Sequence, residues 1–289
     1  MNTESYLRRI RKEFPRLKFS SVRIPTPQGV DHVAIVLDEK WIFRFPKKQK
    51  YKKLFKKEIR LMDALHARIP LPIPHYEFVA RDKSFGGYAF IPGVSLRRPM
   101  YMRMSSVAKK RVQRQMAGFL SALHATPLSI AKKYGVRRTT IGRYFTRQHG
   151  QYLRHVRHLL TAKEKKMADA HYREMRLHLH DAFTPALIHY DLHLDHILTD
   201  AKLTKITGII DFGDRMIGDP AFDFSVLWRY GPQCAEYVFA QYTGPVDSQF
   251  FTRIKLYFRE FALGGIMWAD RGMFLTPTQA RAQFKLAFN

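Results

Sequence analysis

The chain has 289 residues, 46% apolar and 13% aromatic, with one cysteine and 50 Lys and Arg against 24 Asp and Glu. This excludes a disordered or collagen-like chain and an intramolecular disulfide, and no stretch approaches the roughly 20 apolar residues of a membrane helix. The net charge of +26 admits a polyanionic partner, but the basic residues are scattered rather than gathered in one tail or motif, so they read as solvated faces and not as a nucleic-acid site.

In chain order, residues 3–14 carry Tyr6, Leu7, Ile10 and Phe14 at helical spacing, which predicts a short helix. This amino-terminal stretch has no apolar run, so no signal peptide is expected, and a cytoplasmic, reducing compartment is. Residues 17–24 read as a strand, stopped by Pro25-Thr26-Pro27-Gln28-Gly29. Apolar runs at 33–37 and 41–45 flank Asp38-Glu39-Lys40 and predict a hairpin. From 50 to 68, Leu54, Phe55, Ile59, Met62 and Leu65 recur at helical steps until Pro70, Pro72 and Pro74 end the pattern. Strands at 76–80 and 88–91 follow, and Pro92-Gly93 marks a reversal or hinge. Beyond the first helix, this is a small antiparallel sheet with one helix packed on it.

After that point the character changes. Residues 107–124 form an amphipathic helix with Met116, Phe119, Leu120 and Leu123 on one stripe, and 139–180 is helical and rich in Arg and His. Residues 185–223 break into short strands and turns, and 224–242 and 248–270 return to helix. The expected architecture is α+β, with a mixed unit at 1–92 and a mostly helical one at 93–289.

Two segments carry the chemistry. In the first, His189-Tyr190-Asp191-Leu192-His193-Leu194-Asp195-His196 is a polar loop held between apolar Leu187-Ile188 and Ile197-Leu198. In the second, the apolar run 206–210 delivers Asp211, and Phe212-Gly213 turns the chain away. Phosphoryl transfer needs a carboxylate to orient a hydroxyl and take its proton, ligands for magnesium, and donors for the phosphates. Asp191 suits the first role, and Asp211 with His196 the second.

With these motifs the chain resembles the aminoglycoside phosphotransferase family, small-molecule kinases with a protein-kinase-like bilobal fold. "LIHYDLHLDHIL" and "ITGIIDFGD" followed by "GDPAFDF" are most similar to the 2''-phosphotransferases, and "WIFRFP", "KEIRLMDAL", "LPIPHYEFV" and "GYAFIPG" follow in family order. The resemblance implies an O-kinase that uses magnesium with ATP or GTP and acts as a monomer. Asp191 would be the catalytic base, and Asp211 and His196 the metal ligands, His196 standing where most relatives have Asn. His189 would brace the loop. Arg44 takes the place of the phosphate-binding lysine with Glu58 as its partner. Gly29 lies in the loop over the phosphates, and Phe90 and Ile91 would offer backbone contacts to a purine.

An imidazole is an unusual partner for a hard ion that prefers oxygen, so an acid limb of imidazole type is expected. The implied acceptor is an aminoglycoside, with Asp195, Asp223, Trp268 and Asp270 as candidate contacts. The segment 225–233, where relatives are acid-rich, has no carboxylate and carries Arg229. A macrolide or another hydroxylated metabolite therefore stays as the alternative.

Overall fold

Alternation along two strands sets the amino-terminal layout. In the structure, a computed structural model that describes residues 3–26, 28–29, 31–178 and 183–288, β1 (Val22–Arg23), β2 (His32–Leu37), β3 (Trp41–Pro46), β4 (Tyr76–Val79) and β5 (Gly86–Ala89) form one antiparallel sheet ordered β1-β2-β3-β5-β4. Val33, Ile35, Leu37, Phe43 and Phe45 share one face, where they bury with Leu7 and Ile10 of α1 (Thr3–Glu13). Strand side chains alternate, so His32, Ala34 and Arg44 go to the opposite face. There α2 (Gln49–His66) buries Phe55, Glu58, Ile59 and Met62, spaced three and four apart. Each large apolar side chain buried this way contributes about 1.5–3 kcal/mol. The flanking Phe43 and Phe45 thus turn Arg44 toward α2.

The sheet is therefore covered by two helices, where the sequence pattern suggested one. The hairpin closes with Leu37 opposite Trp41, and Asp38 and Glu39 take positive φ in its turn. Only Val22 and Arg23 of the expected 17–24 strand pair with β2. β5 begins two residues earlier than expected, because Gly86 and Gly87 belong to the strand. A Cβ on Gly87 would come 2.7 Å from the Phe43 ring, so glycine here marks close packing and not a turn. Residues 27 and 30 of the expected phosphate loop lie outside the described residues.

Sheet membership changes just after Gly93. β6 (Val94–Ser95) joins β8 (Ile197–Thr199) and β9 (Ile206–Ile209) in a second sheet, and β7 (Ala186–Ile188) pairs with β10 (Met216–Gly218). Helices α3 (Arg98–Arg103) and α5 (Leu128–Lys133) are short and escape periodicity, and α4 (Ser106–His124) matches its expectation. The 139–180 stretch divides into α6 (Ile141–Gln151), a π turn, a 3-10 turn and α7 (Ala162–His178), with 179 and 180 outside the described residues. The 224–242 stretch is likewise broken. α8 (Ala221–Phe224) and a 3-10 turn end at Gly231, whose φ of 123° no helix accommodates, and α9 (Pro232–Phe239) starts afresh. α10 (Phe250–Asp270) crosses the helical region, and α11 (Pro277–Phe288), also unforeseen, packs on it.

One core runs from the inner side of α2 through α4 to α10, with Phe55, Met62, Phe119, Ile209, Phe212 and Ile254 all buried in it. The junction of the two sheets is tight at Gly208, where a Cβ would meet Ile91 at 2.6 Å and the Pro72 carbonyl at 2.8 Å. That contact carries β9, and with it the turn at Asp211, against the inner face of the first sheet.

Candidate active site

Asp191 is placed by backbone that other residues hold in a costly shape. Tyr190, just before it, has φ of 69°, a left-handed geometry that a bulky residue keeps only when its surroundings impose it. Asp223 imposes it, accepting the His189 and Tyr190 N–H groups at 2.8 and 2.9 Å. His124 donates Nε2–H to the same carboxylate at 3.1 Å and takes the Tyr242 hydroxyl at Nδ1 at 2.7 Å. Both Asp223 and His124 have fully buried side chains. The expectation that Asp223 touches substrate is corrected accordingly, since its oxygens are committed to shaping the loop.

His196 is set by the same loop. Its Nδ1 lies 2.7 Å from the Asp191 carbonyl. A carbonyl only accepts, so Nδ1 carries the proton and Nε2 presents a lone pair. That lone pair faces Asp211 Oδ2 at 3.8 Å, and Nδ1 is 3.6 Å from Asp191 Oδ2. A lone pair and a carboxylate oxygen facing each other across 3.8 Å repel unless a cation or proton lies between them. Among the described residues no three His, Cys, Asp or Glu side chains converge to enclose an ion. The pair therefore suits a cation that brings most of its oxygen ligands with it, as magnesium does on a nucleotide.

Asp211 itself sits at φ 64°, ψ 65°, strained backbone at the end of β9. Its Oδ1 accepts from Arg44 Nη2 at 3.2 Å. Arg44 also donates to Glu58 at 2.8 Å, to the Tyr76 oxygen at 3.3 Å and to His32 Nδ1 at 3.2 Å. Tyr76 donates its hydroxyl to Glu58 at 2.8 Å. Behind them Arg215 donates to the Phe212 and Gly213 carbonyls, both at 3.1 Å, and stands 3.8 Å from Glu58. His189 braces the turn by giving Nε2–H to the Ile210 carbonyl at 3.1 Å, and its Nδ1 is buried without a partner. Burial pushes His189 down to about 4, so it stays neutral.

The two exposed carboxylates are driven apart. Each side chain is 43% exposed, so both are reachable. Packing of protein around Asp191, with the charges of Asp211, Asp214 and Asp223, pushes it up to about 7 against the pull of His196. Burial would raise Asp211 too, but Arg44, His196, His189 and His32 hold it at about 2. Neighbouring carboxylates with opposite displacements mark one proton-accepting group and one permanent anion.

The remaining expected contacts are dispersed. Gly29 uses its carbonyl to accept from Lys47 at 2.6 Å. The loop is fastened instead by Gln28, whose amide bonds Pro25 and Ala34. Phe90 gives its N–H to the Lys40 carbonyl at 2.8 Å, and Ile91 packs on Gly208. The Phe90 N–H is thus already in use within the sheet. Asp195 is paired with Arg97 at 2.9 Å.

An open cleft of about 340 Å³ adjoins Asp191 and is walled by His193, Phe222, Arg229 and Phe261. Along α10, Trp268 follows Phe261 by seven residues, on the same face about 10 Å further on, whereas Asp270 is nine residues on and half a turn round. Trp268 stacks edge-on with Phe274, and neither it nor Asp270 lines this cleft. The pattern of the sequence did not single out Gln28, Tyr76, His124, His193 or Arg215. Only His193, inside the polar loop, carried a signal.

Known proteins match the chain over most of its length. Residues 23–251 match the model of the phosphotransferase enzyme family. The GDP complex of aminoglycoside 2'-phosphotransferase-IIIa superposes with a TM-score of 0.83 at 27% identity, over 99% of this chain and 97% of that one. A GDP and kanamycin complex of APH(2")-IIia gives 0.81 at 27%, over 98% and 97%. A macrolide 2'-phosphotransferase type I shares the fold, with a TM-score of 0.73 at 20% identity over 98% and 97%.

Proposed function

The chain belongs to the phosphotransferase enzyme family, and from that premise we propose that it transfers the γ-phosphate of ATP or GTP to a hydroxyl of a small molecule, with magnesium on the nucleotide. The observation that carries the reading is one continuous run of groups: Arg44 to Asp211 at 3.2 Å, Asp211 to His196 at 3.8 Å, His196 to Asp191 at 3.6 Å. It spans from a phosphate-type cation to a proton acceptor.

Asp191 orients the acceptor hydroxyl and takes its proton as the oxygen attacks phosphorus. Arg44, held by Glu58 and Tyr76 beside Asp211, would be the cation for the phosphates. Asp211 and the Nε2 lone pair of His196 would hold magnesium, which would neutralise charge on the phosphate oxygens. The strained turns at Tyr190 and Asp211 keep both carboxylates aimed before any ligand arrives.

Likeness to the aminoglycoside phosphotransferases favours an aminoglycoside as the acceptor class, and a macrolide or another hydroxylated metabolite is the alternative. The test is a coupled turnover screen of these classes with ATP and GTP separately. Asp191→Ala and Asp211→Ala should each abolish turnover while circular dichroism and Tm stay near wild type. Full turnover in both variants would overturn the assignment.

A further inference from the structure

We propose that the preferred acceptor carries an anionic group, a carboxylate or a phosphate, that Arg229 holds beside the hydroxyl presented to Asp191. The inference rests on the kinase reading and, within it, selects the alternative acceptor, another hydroxylated metabolite, over the aminoglycoside.

The argument begins with how this protein treats arginines that leave solvent. Arg44, Arg215, Arg253, Arg259 and Arg281 each have a carboxylate oxygen within 4.0 Å. Arg229 is also half-buried, yet among the described residues no carboxylate lies within that distance of it. Its guanidinium donates Nη1–H to His193 Nε2 at 2.8 Å, lies 5.0 Å over the Phe261 ring, and reaches Gln283 only at 3.5 Å. An arginine does not shed its charge in proteins. Asp195 acts on Arg229 only from beyond that distance, across His193, and a cation drawn partly out of solvent gains from a directly bonded counter-ion, which a ligand can provide.

The rest of the cleft agrees. Arg229, His193 and Asp191 line the same cleft. His193 accepts from Arg229 at Nε2, and its Nδ1 lies 3.3 Å from the Asp195 backbone N and 3.5 Å from Asp195 Oδ2. Asp195 is itself held by Arg97 at 2.9 Å. Asp223 lines the cleft only as a fully buried side chain bound to three donors. Asp191 is therefore the wall's one unpaired carboxylate, and its task is the hydroxyl. A polycation would meet a wall with no second carboxylate to receive its amines, and Arg229 opposing it. A planar guanidinium suits carboxylate and phosphate equally, with two parallel hydrogen bonds.

The test uses the purified full chain with magnesium and ATP or GTP. One hexose scaffold is offered with an amine, without charge, with a carboxylate and with a phosphate: glucosamine, glucose, glucuronate and glucose 6-phosphate. Kanamycin is run alongside. The expected result is highest kcat/KM for glucuronate or glucose 6-phosphate, and the better of the two identifies the anion. Arg229→Gln should raise KM for that acceptor roughly 10–100-fold with a much smaller change in kcat, and Arg229→Lys should recover part of it.

If kanamycin, glucosamine or glucose is preferred, or Arg229→Gln leaves the anionic KM unchanged, the inference falls and the kinase reading stands. If nucleotide hydrolysis runs but no acceptor is phosphorylated, calorimetry with glucose 6-phosphate decides, the nucleotide site being filled with ADP or GDP. Binding lost in Arg229→Gln supports the inference, and no Arg229-dependent binding overturns it. Absence of any turnover that Asp211→Ala abolishes overturns the kinase reading itself.

Discussion

Four of the seven aspartates between residues 191 and 223 divide into two pairs with opposite fates. Asp219 and Asp223 are buried, and every oxygen is taken. Asp219 accepts from Arg253 at 2.6 and 3.2 Å, from Tyr257 at 2.9 Å and from the Ala221 N–H at 3.0 Å. Asp223 accepts from two backbone N–H groups and His124. Asp191 and Asp211 are each 43% exposed. Among the described residues, the side chain of Asp211 has a single hydrogen bond, to Arg44, and that of Asp191 has only the 3.6 Å approach of His196. The chemistry of the four side chains is identical. What separates structure from function is how much hydrogen-bonding capacity the fold leaves open.

The largest effects should fall along that division. Asp191→Asn and Asp211→Asn should each reduce kcat by about 10³-fold or more while the denaturant midpoint stays near wild type. Asp223→Ala and Asp219→Ala should instead destabilise by about 3–5 kcal/mol, because each strands buried donors or a buried Arg253. Urea titrations alongside initial rates separate the two. An Asp223→Ala protein of full stability, altered only in acceptor KM, would return that residue to the acceptor site and break the division.

Half of this contrast was legible in the sequence. The motif around Asp191, His196 and Asp211 names its chemistry because phosphoryl transfer needs those groups on two adjacent turns. The strand alternation that turns Arg44 toward Glu58 was also readable, since Phe43 and Phe45 flank it. The fate of Asp223 was not. Its partner His124 lies 99 residues before it, and Tyr242, which bonds His124, lies 19 after it, and nothing local in the chain reports such pairing. The same holds for Arg215 on Glu58. Short helices such as α3 and α5 are below the length at which periodicity speaks, and Gly231 broke a helix that the apolar pattern ran through.

A smaller effect tests how the active pair share charge. Asp191 accepts a proton only while ionised, so turnover should be full above about pH 7 and fall below it with unit slope. A cation beside Asp211 cancels part of the repulsion and should bring the midpoint somewhat below 7. The sequence motif pointed to His196 for such a limb, and the structure offers Asp191 as a second source. His196→Asn separates them. It should lower kcat/KM by about 10-fold and move the limb upward if at all, because the pull of His196 on Asp191 is lost. A limb that moved to the ordinary carboxylate range in His196→Asn would assign it to the imidazole and count against the raised Asp191.

The smallest effect is one of stability, and its sign favours removing the charge. Asp191 titrates near 3.8 in an unfolded chain and is pushed up to about 7 in the fold, mainly by burial. Between those values the folded state binds a proton that the unfolded state has released. Its stabilising contribution is whole below about pH 4 and is lost as pH rises through 7. Asp191→Asn removes the charge and keeps the shape, so without nucleotide or divalent cation it should be no more stable than wild type at pH 4 and more stable at pH 8. With the side chain nearly half open to water, solvent screening reduces the gain to about 1 kcal/mol, or ~2–4 °C in Tm for a chain of this size. Asp223→Asn offers no such gain, because its carboxylate is already matched by donors. Melting curves at pH 4 and 8 decide it. An Asp191→Asn protein that melts below wild type at pH 8 would mean that the fold favours this charge, and the active pair would then not differ from the buried one in the way the geometry requires.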